Sequence, residues 1–304
     1  MTELDLLLLV AAIAVPLSAL LATWAAGRWL LVAAYGAQLV LLIVLTPGEG
    51  GRSALGFTLL GHPVGWQLDA LGWFFAVITV GAAGFAAAYA AGEWGQVNGR
   101  EGLSLRWLYG GLQINVLAML LLLSSADLIS LFIGWELTSW SGLILMLLAG
   151  GEAIRAALRY IVYALAGGMA VFAAMVITHA SVGSLQFDAL QGAAAALGTG
   201  ELWTITLLFV IGFSVKMATM PFHLWQAPAY AYSPGPASAF LGAISARMGL
   251  FAIALVAFKL LGVAQLDQLA FWRDIANLRD LLAWIAVRTA ILPTFVAMRQ
   301  NDAR

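Results

Sequence analysis

Apolar residues along this chain fall into long blocks separated by short polar stretches. A helix needs about 20 mostly apolar residues to cross a bilayer core. Nine blocks meet that length: 4–26, 29–47, 70–91, 107–124, 127–149, 156–179, 201–221, 237–258 and 281–298. The last holds Arg288 and Pro293, so Arg288 faces an absent neighbour or the ninth span is shorter than drawn. Polar connectors lie between the blocks, among them PGEGGRSALG with GHPVGWQLD, GEWGQVNGREGLSLR and GGEAIRAALR. SVGSLQFDALQGAAAALGTG joins spans six and seven. The first block lacks the basic n-region of a signal peptide and predicts a retained first helix.

The seventh block does not run as one regular helix. Pro221, Pro228, Pro234, Gly235 and Pro236 follow one another closely. Pro221 removes a backbone donor and frees the carbonyl of Met217, four residues back. Broken helices at membrane depth persist only where protein buries them or where they line a wet cavity, and they often mark the ion site of a transporter. The prediction is an all-α, polytopic transmembrane bundle of about nine spans with a broken seventh helix.

Composition supports this reading. Of 304 residues, 63% are hydrophobic and 10% charged, against about 25% charged in soluble domains. Mean hydropathy is +0.96. A net charge of −1 gives no electrostatic case for nucleic acid. Without cysteine there are no disulfides, cysteine-held clusters or c-type haem attachments. With only His62, His179 and His223, no metal site or cofactor is expected. With the N-terminus outside, one side collects Arg28, Arg100, Arg106, Arg155, Arg159, Arg299 and Arg304, and the other Arg52, Lys259, Arg273 and Arg279, the last two beside Asp274 and Asp280. That bias puts the first side in the cytoplasm.

Three ionisable residues lie well inside spans: Glu136, Lys216 and Arg247. A cation at bilayer depth costs about 2.5–3.5 kcal/mol even on the lenient insertion scale, so its default reading is an ion or proton pathway. Burial penalises the charged form of an acid or a lysine, and an opposite charge nearby offsets that penalty. A glutamate that approaches and leaves a lysine therefore switches the lysine between holding and releasing a proton. Glu136 modulates and Lys216 carries in this scheme. Arginine stays charged, so Arg247 shapes the field. His223, in the broken stretch, relays a proton or satisfies a freed carbonyl. The competing structural reading is a static Glu136–Lys216 pair that fixes helix packing. Trp135, Trp140 and Trp225 read as packing and interface residues, and Gly167 and Gly168 as a close helix approach.

These residues carry a resemblance. GWELTSWSGLILM at 134–146, AALRYIVYALAGG at 156–168, GFSVKMATMPFHLWQAPAYAYSPGPASAFLGAISARMG at 212–249 and VRTAILPTFVAMRQNDAR at 287–304 resemble the antiporter-like membrane subunits of respiratory complex I, Mrp-type cation/proton antiporters and group 4 membrane-bound hydrogenases. The resemblance runs from about residue 60 to the end. It implies two inverted five-helix repeats, each a half-channel, with Glu136 matching the family's glutamate and Lys216 the lysine of the broken helix. Arg247 stands where the family usually has a lysine or histidine. Residues 1–106 form an N-terminal three-helix segment, 107–262 one five-helix repeat, and 263–304 the start of a second.

The family's second repeat opens at RQNDxK, and this chain stops at RQNDAR. The expectation is a truncated or split product, or a partner chain supplying the second half. The resemblance implies a multi-pass protein of the cell's inner (plasma) membrane that moves H⁺ or Na⁺ within a complex I-like, Mrp-like or hydrogenase complex. Its partners are other membrane subunits and the lipid bilayer. The chain shows no catalytic chemistry of its own. A second hypothesis is a non-transporting anchor subunit for a redox or bicarbonate-handling partner. A third is a haem b or quinone enzyme built on His179 and His223.

Overall fold

In the computed structural model, residues 2–45, 51–191, 193–262, 269–271 and 276–298 are described. Arg273, Asp274, Arg299 and Arg304, and with them the RQNDAR string, lie outside the described residues. Among the described residues nine helical segments are long and apolar enough to cross a membrane. The chain is a multi-pass helical membrane protein.

The first two spans are α1 (Glu3–Leu21) and α2 (Ala25–Val44). Thr2 caps α1 in a reciprocal box with Asp5, which satisfies two donors at the helix start. Asp5 also accepts from the Ser53 hydroxyl and the Ala54 amide, tying the next element to this end. That element departs from the expected polar connector. It is an antiparallel hairpin of β1 (Gly51–Leu59) and β2 (His62–Leu68). Leu60 and Gly61 make the turn at φ of 50° and 85°, the two positive values a tight hairpin turn requires.

A lone hairpin is marginal in water; this one is anchored. The Gly65 amide donates to Asp127 Oδ2 at 2.9 Å, and Gln186 Nε2 donates to the Pro63 carbonyl at 2.7 Å.

The spans continue with α3 (Ala70–Ala91), a short α4 (Glu93–Arg100), α5 (Leu105–Leu123), α6 (Leu128–Leu147) and α7 (Glu152–Val182). Asp127 caps α6 by accepting from the Ser130 amide at 2.8 Å while it holds the hairpin. Helix α7 starts earlier than the sequence reading, because Glu152 and Arg155 on its exposed first turn belong to the helix.

The seventh span divides into α8 (Thr199–Met217), a 3₁₀ turn (Phe222–Trp225) and α9 (Gln226–Ala231). The eighth is α10 (Gly235–Leu261), with π-helical turns at Leu241–Ser245 and Ala257–Leu261. The ninth, α11 (Leu278–Ala297), has full span length, and no residue of its apolar window is buried. Arg288 is exposed on it.

Helix α8 packs against α7 and α10, and glycine lets these neighbours approach. A Cβ on Gly212 of α8 would fall 2.7 Å from the Gly167 carbonyl of α7, and one on Gly249 of α10 would fall 2.7 Å from the Phe213 carbonyl. Lipid tails are as apolar as leucine, so membrane helices associate through such close contacts rather than through a hydrophobic drive.

Arg28, Arg100, Arg106, Arg155 and Arg159 stand at the α1–α2, α4–α5 and α6–α7 turns, and Arg52, Lys259 and Arg279 belong to the hairpin end. Lys259 pairs with Asp69 there at 3.6 Å.

Candidate functional site

Lys216 sits at the middle of the segment Thr199–Ala231 and is 4% exposed. The helix ends one residue later, before the proline. Ala218 adopts a left-handed conformation at φ 52°, which costs a non-glycine residue about 1–2 kcal/mol. The break thus begins three residues ahead of Pro221, and the freed groups are not those the proline alone predicts. The Thr219 amide donates to the Ser214 carbonyl at 3.1 Å. Trp225 Nε1 donates to the Val215 carbonyl at 2.9 Å. The Met220 amide donates to Thr289 Oγ1 of α11 at 3.0 Å. Tryptophan and threonine side chains therefore do much of what the lost helical ladder would do.

The Lys216 ammonium points at α6. It donates to Ser139 Oγ at 2.7 Å, reaches the Trp135 carbonyl at 3.5 Å, and lies 4.8 Å from the centre of the Trp135 ring. A cation over an indole face gains about 0.5–2 kcal/mol, more when desolvated. Tyr160 closes the site from α7, donating to the Ser139 carbonyl at 3.2 Å and packing on Trp225 with ring centres 4.8 Å apart. These side chains enclose a cavity with Ala164, Gly212 and Val215 that is about the size of one water molecule.

Glu136 lies between Trp135 and Ser139 on α6 but turns toward α7. Its carboxylate forms no ion pair with Lys216 among the described residues. Glu136 Oε1 is buried with no hydrogen-bond partner and rests against Gly168, where an added Cβ would overlap it. A carboxylate oxygen left unpaired in an apolar bundle is costly. The geometry is a separated acid and base, not a locked pair.

The structure spreads the other two sequence candidates around this centre. His223 is half-buried in the 3₁₀ turn, and its Nδ1 is buried without a partner. Trp225, rather than His223, satisfies the Val215 carbonyl beside the lysine. Arg247 is not inside the site. It is exposed on α10, and its guanidinium donates to the Gly242 carbonyl at 2.6 Å within the π-helical turn. That turn packs on Tyr230, whose ring meets Trp225 edge-on at 5.9 Å. Arg247 is thus linked to the lysine cavity through Tyr230 and Trp225.

His179 stacks edge-on against His62 at 4.6 Å. That contact is about 28 Å along α7 from Tyr160 and Trp225, at 1.5 Å per residue, so the structure does not join His179 to His223. Sequence reasoning missed Ser139, Tyr160 and Thr289. Ser139 was the accessible one: it is three residues after Glu136, hence on an adjoining face of the helix.

Residues 125–304, more than half of the chain, match the family described as NADH:quinone oxidoreductase/Mrp antiporter, TM. NADH-quinone oxidoreductase subunit N of Moorella thermoacetica is 29% identical over 275 residues, covering 89% of this chain and 54% of that protein. Subunit N of Parvibaculum lavamentivorans is 31% identical over 210 residues, covering 67% of this chain and 41% of that protein. The chain spans about half the length, or less, of the curated relatives it matches.

Among solved structures, a chain of the Mrp complex from a Dietzia species superposes with a TM-score of 0.74 at 22% identity, covering 88% of this chain and 29% of that one. A chain of an archaeal membrane-bound sulfane sulfur reductase superposes at 0.72 with 23% identity, covering 86% and 42%. At those identities the likeness is one of fold. The matched region and the curated relatives agree, and this chain belongs to the transmembrane family of NADH:quinone oxidoreductase and Mrp antiporter subunits.

Proposed function

We propose that this chain translocates protons, or exchanges a cation such as Na⁺ for protons, as a subunit of a larger complex in the cell's inner membrane. One observation carries the reading. A buried lysine ends a helix at mid-membrane, bonded to a hydroxyl and beside a water-sized cavity, with a carboxylate close by but not paired to it. Lys216 is the carrier and Glu136 the group that biases it. When the carboxylate approaches, the ammonium is stabilised; when it withdraws, Ser139 and the Trp135 ring remain, and the lysine releases its proton more readily. His223, with a free buried nitrogen, is the relay out of the site. Arg247 supplies a fixed positive charge through Tyr230 and carries nothing.

A subunit on its own supplies no driving force. Moving one charge across 100 mV is worth about 2.3 kcal/mol, so redox chemistry in partner subunits or an existing ion gradient must supply or use it. The uncovered α11, with exposed Arg288, supports a neighbouring membrane subunit at that face.

The test is proton flux in proteoliposomes of the assembled complex. Lys216→Ala should abolish flux and leave assembly intact, and normal flux in that variant overturns the carrier role. Exchange of Na⁺ for K⁺ in the medium separates a sodium-coupled from a proton-only cycle. A wild-type complex that assembles through this chain yet passes no ions would instead support an anchoring subunit, the reading that Arg247's outward position favours.

A further inference from the structure

At the end of the bundle opposite the hairpin lies a cleft of about 510 Å³ between the α1–α2 turn, α4 and the start of α5. Three arginines line it, Arg28, Arg100 and Arg106, together with Gln96 and Ser104, and no acidic residue does. None of the three forms an ion pair among the described residues. Arg28 is half-buried. Its Nε donates to the Ala22 carbonyl at 3.0 Å, while its Nη1 is buried with no partner. A guanidinium nitrogen withdrawn from water and left without an acceptor is expensive.

The backbone adds to the same demand. Helix α5 begins at the cleft, and its N-cap, Ser104, makes no side-chain capping bond. The first turn of this 19-residue helix, with its positive dipole end, thus lies at the cleft.

The depth of the cleft identifies the source of the anion. It is built from chain turns, where spans leave the bilayer. Trp24 and Trp29 bracket Arg28, Trp107 follows Arg106, and these three rings are 66%, 54% and 61% exposed. Exposed tryptophans at span ends sit at lipid-headgroup level. The arginine count assigns this end to the cytoplasm, the leaflet whose anionic lipids attract basic clusters. We infer that the cleft binds the phosphate of an anionic phospholipid, with Arg28, Arg100, Arg106 and the α5 amides as its ligands and the tryptophans beside its acyl chains.

The experiment uses the full chain in detergent, exchanged into nanodiscs of phosphatidylcholine with or without phosphatidylglycerol, and reads retained lipid by native mass spectrometry. The wild type should retain phosphatidylglycerol in preference to phosphatidylcholine. Arg100→Gln and Arg106→Gln, both at exposed positions, should each weaken that retention about fivefold, the worth of one basic residue near an anionic surface. Arg28→Gln should weaken it further, with Arg28→Lys recovering only part because a guanidinium fork is lost. Unchanged melting of the Arg100 and Arg106 variants excludes misfolding as the cause. Equal retention of the two lipids, or retention insensitive to all three substitutions, overturns the site. Full displacement of the lipid by millimolar inorganic phosphate overturns the lipid assignment in favour of a soluble phosphate.

Discussion

Gly168 of α7 faces the Glu136 carboxylate of α6 so closely that a methyl group there would overlap Oε1. The acid keeps its place because the opposite residue has no side chain. Gly168→Ala should displace the carboxylate and lower flux by about tenfold with assembly retained. A double-mutant cycle with Glu136→Ala isolates the contact: the alanine at 168 should cost at least 1 kcal/mol more with glutamate present than without it, within the range of about 0.5–3 kcal/mol for touching residues. Additive effects in thermal melts would show that the two do not meet.

Ser139→Ala removes the 2.7 Å acceptor of a buried ammonium. Hydrogen bonds to charged groups contribute about 1.5–3 kcal/mol, and a loss of that size is expected by denaturation in detergent. Lys216→Met removes the charge together with its need for a partner. In that background Ser139→Ala should be close to neutral.

Trp225→Phe keeps a ring against Tyr160 but strips the donor from the Val215 carbonyl. The expected cost is about 1–3 kcal/mol, the penalty for an unsatisfied buried group. Faster amide exchange confined to residues 214–219 would locate the damage at the helix break, and a uniform increase across the bundle would contradict this account.

Asp127→Ala loses both the α6 cap and the hairpin anchor, two bonds at 2.8 and 2.9 Å. Caps alone cost about 0.5–2 kcal/mol. Asp127→Asn keeps an acceptor for the Ser130 amide and should lose less than half as much. Comparison of the two variants by melting separates the cap from the anchor.

The spans and the helix break were legible because both are written locally: apolar block length in one case, closely spaced prolines in the other. Lys216 and Glu136 were legible because a lone charge in an apolar block is conspicuous. Where Glu136 points was not legible, since that depends on Gly168 across a helix interface. Ala218 was missed because nothing in an alanine announces a left-handed backbone; tertiary contacts from Trp225 and Thr289 hold it there. The hairpin was read as a connector because its strands take their support from Asp5, Asp127 and Gln186, far away in sequence. Arg247 was placed inside the bundle from its depth along the chain, but depth does not fix the side of the helix, and the π-helical turn before it resets that side.

The bond from Met220 to Thr289 makes the severed end of the lysine helix a sensor of its neighbour. A hydrogen bond tolerates only a few tenths of an ångström before it fails. A shift of α11 beyond that strands a donor beside Lys216 at a cost of about 1–3 kcal/mol, comparable to the energy of one charge crossing 100 mV. Whatever grips α11 from outside therefore has a mechanical handle on the helix break that follows Lys216.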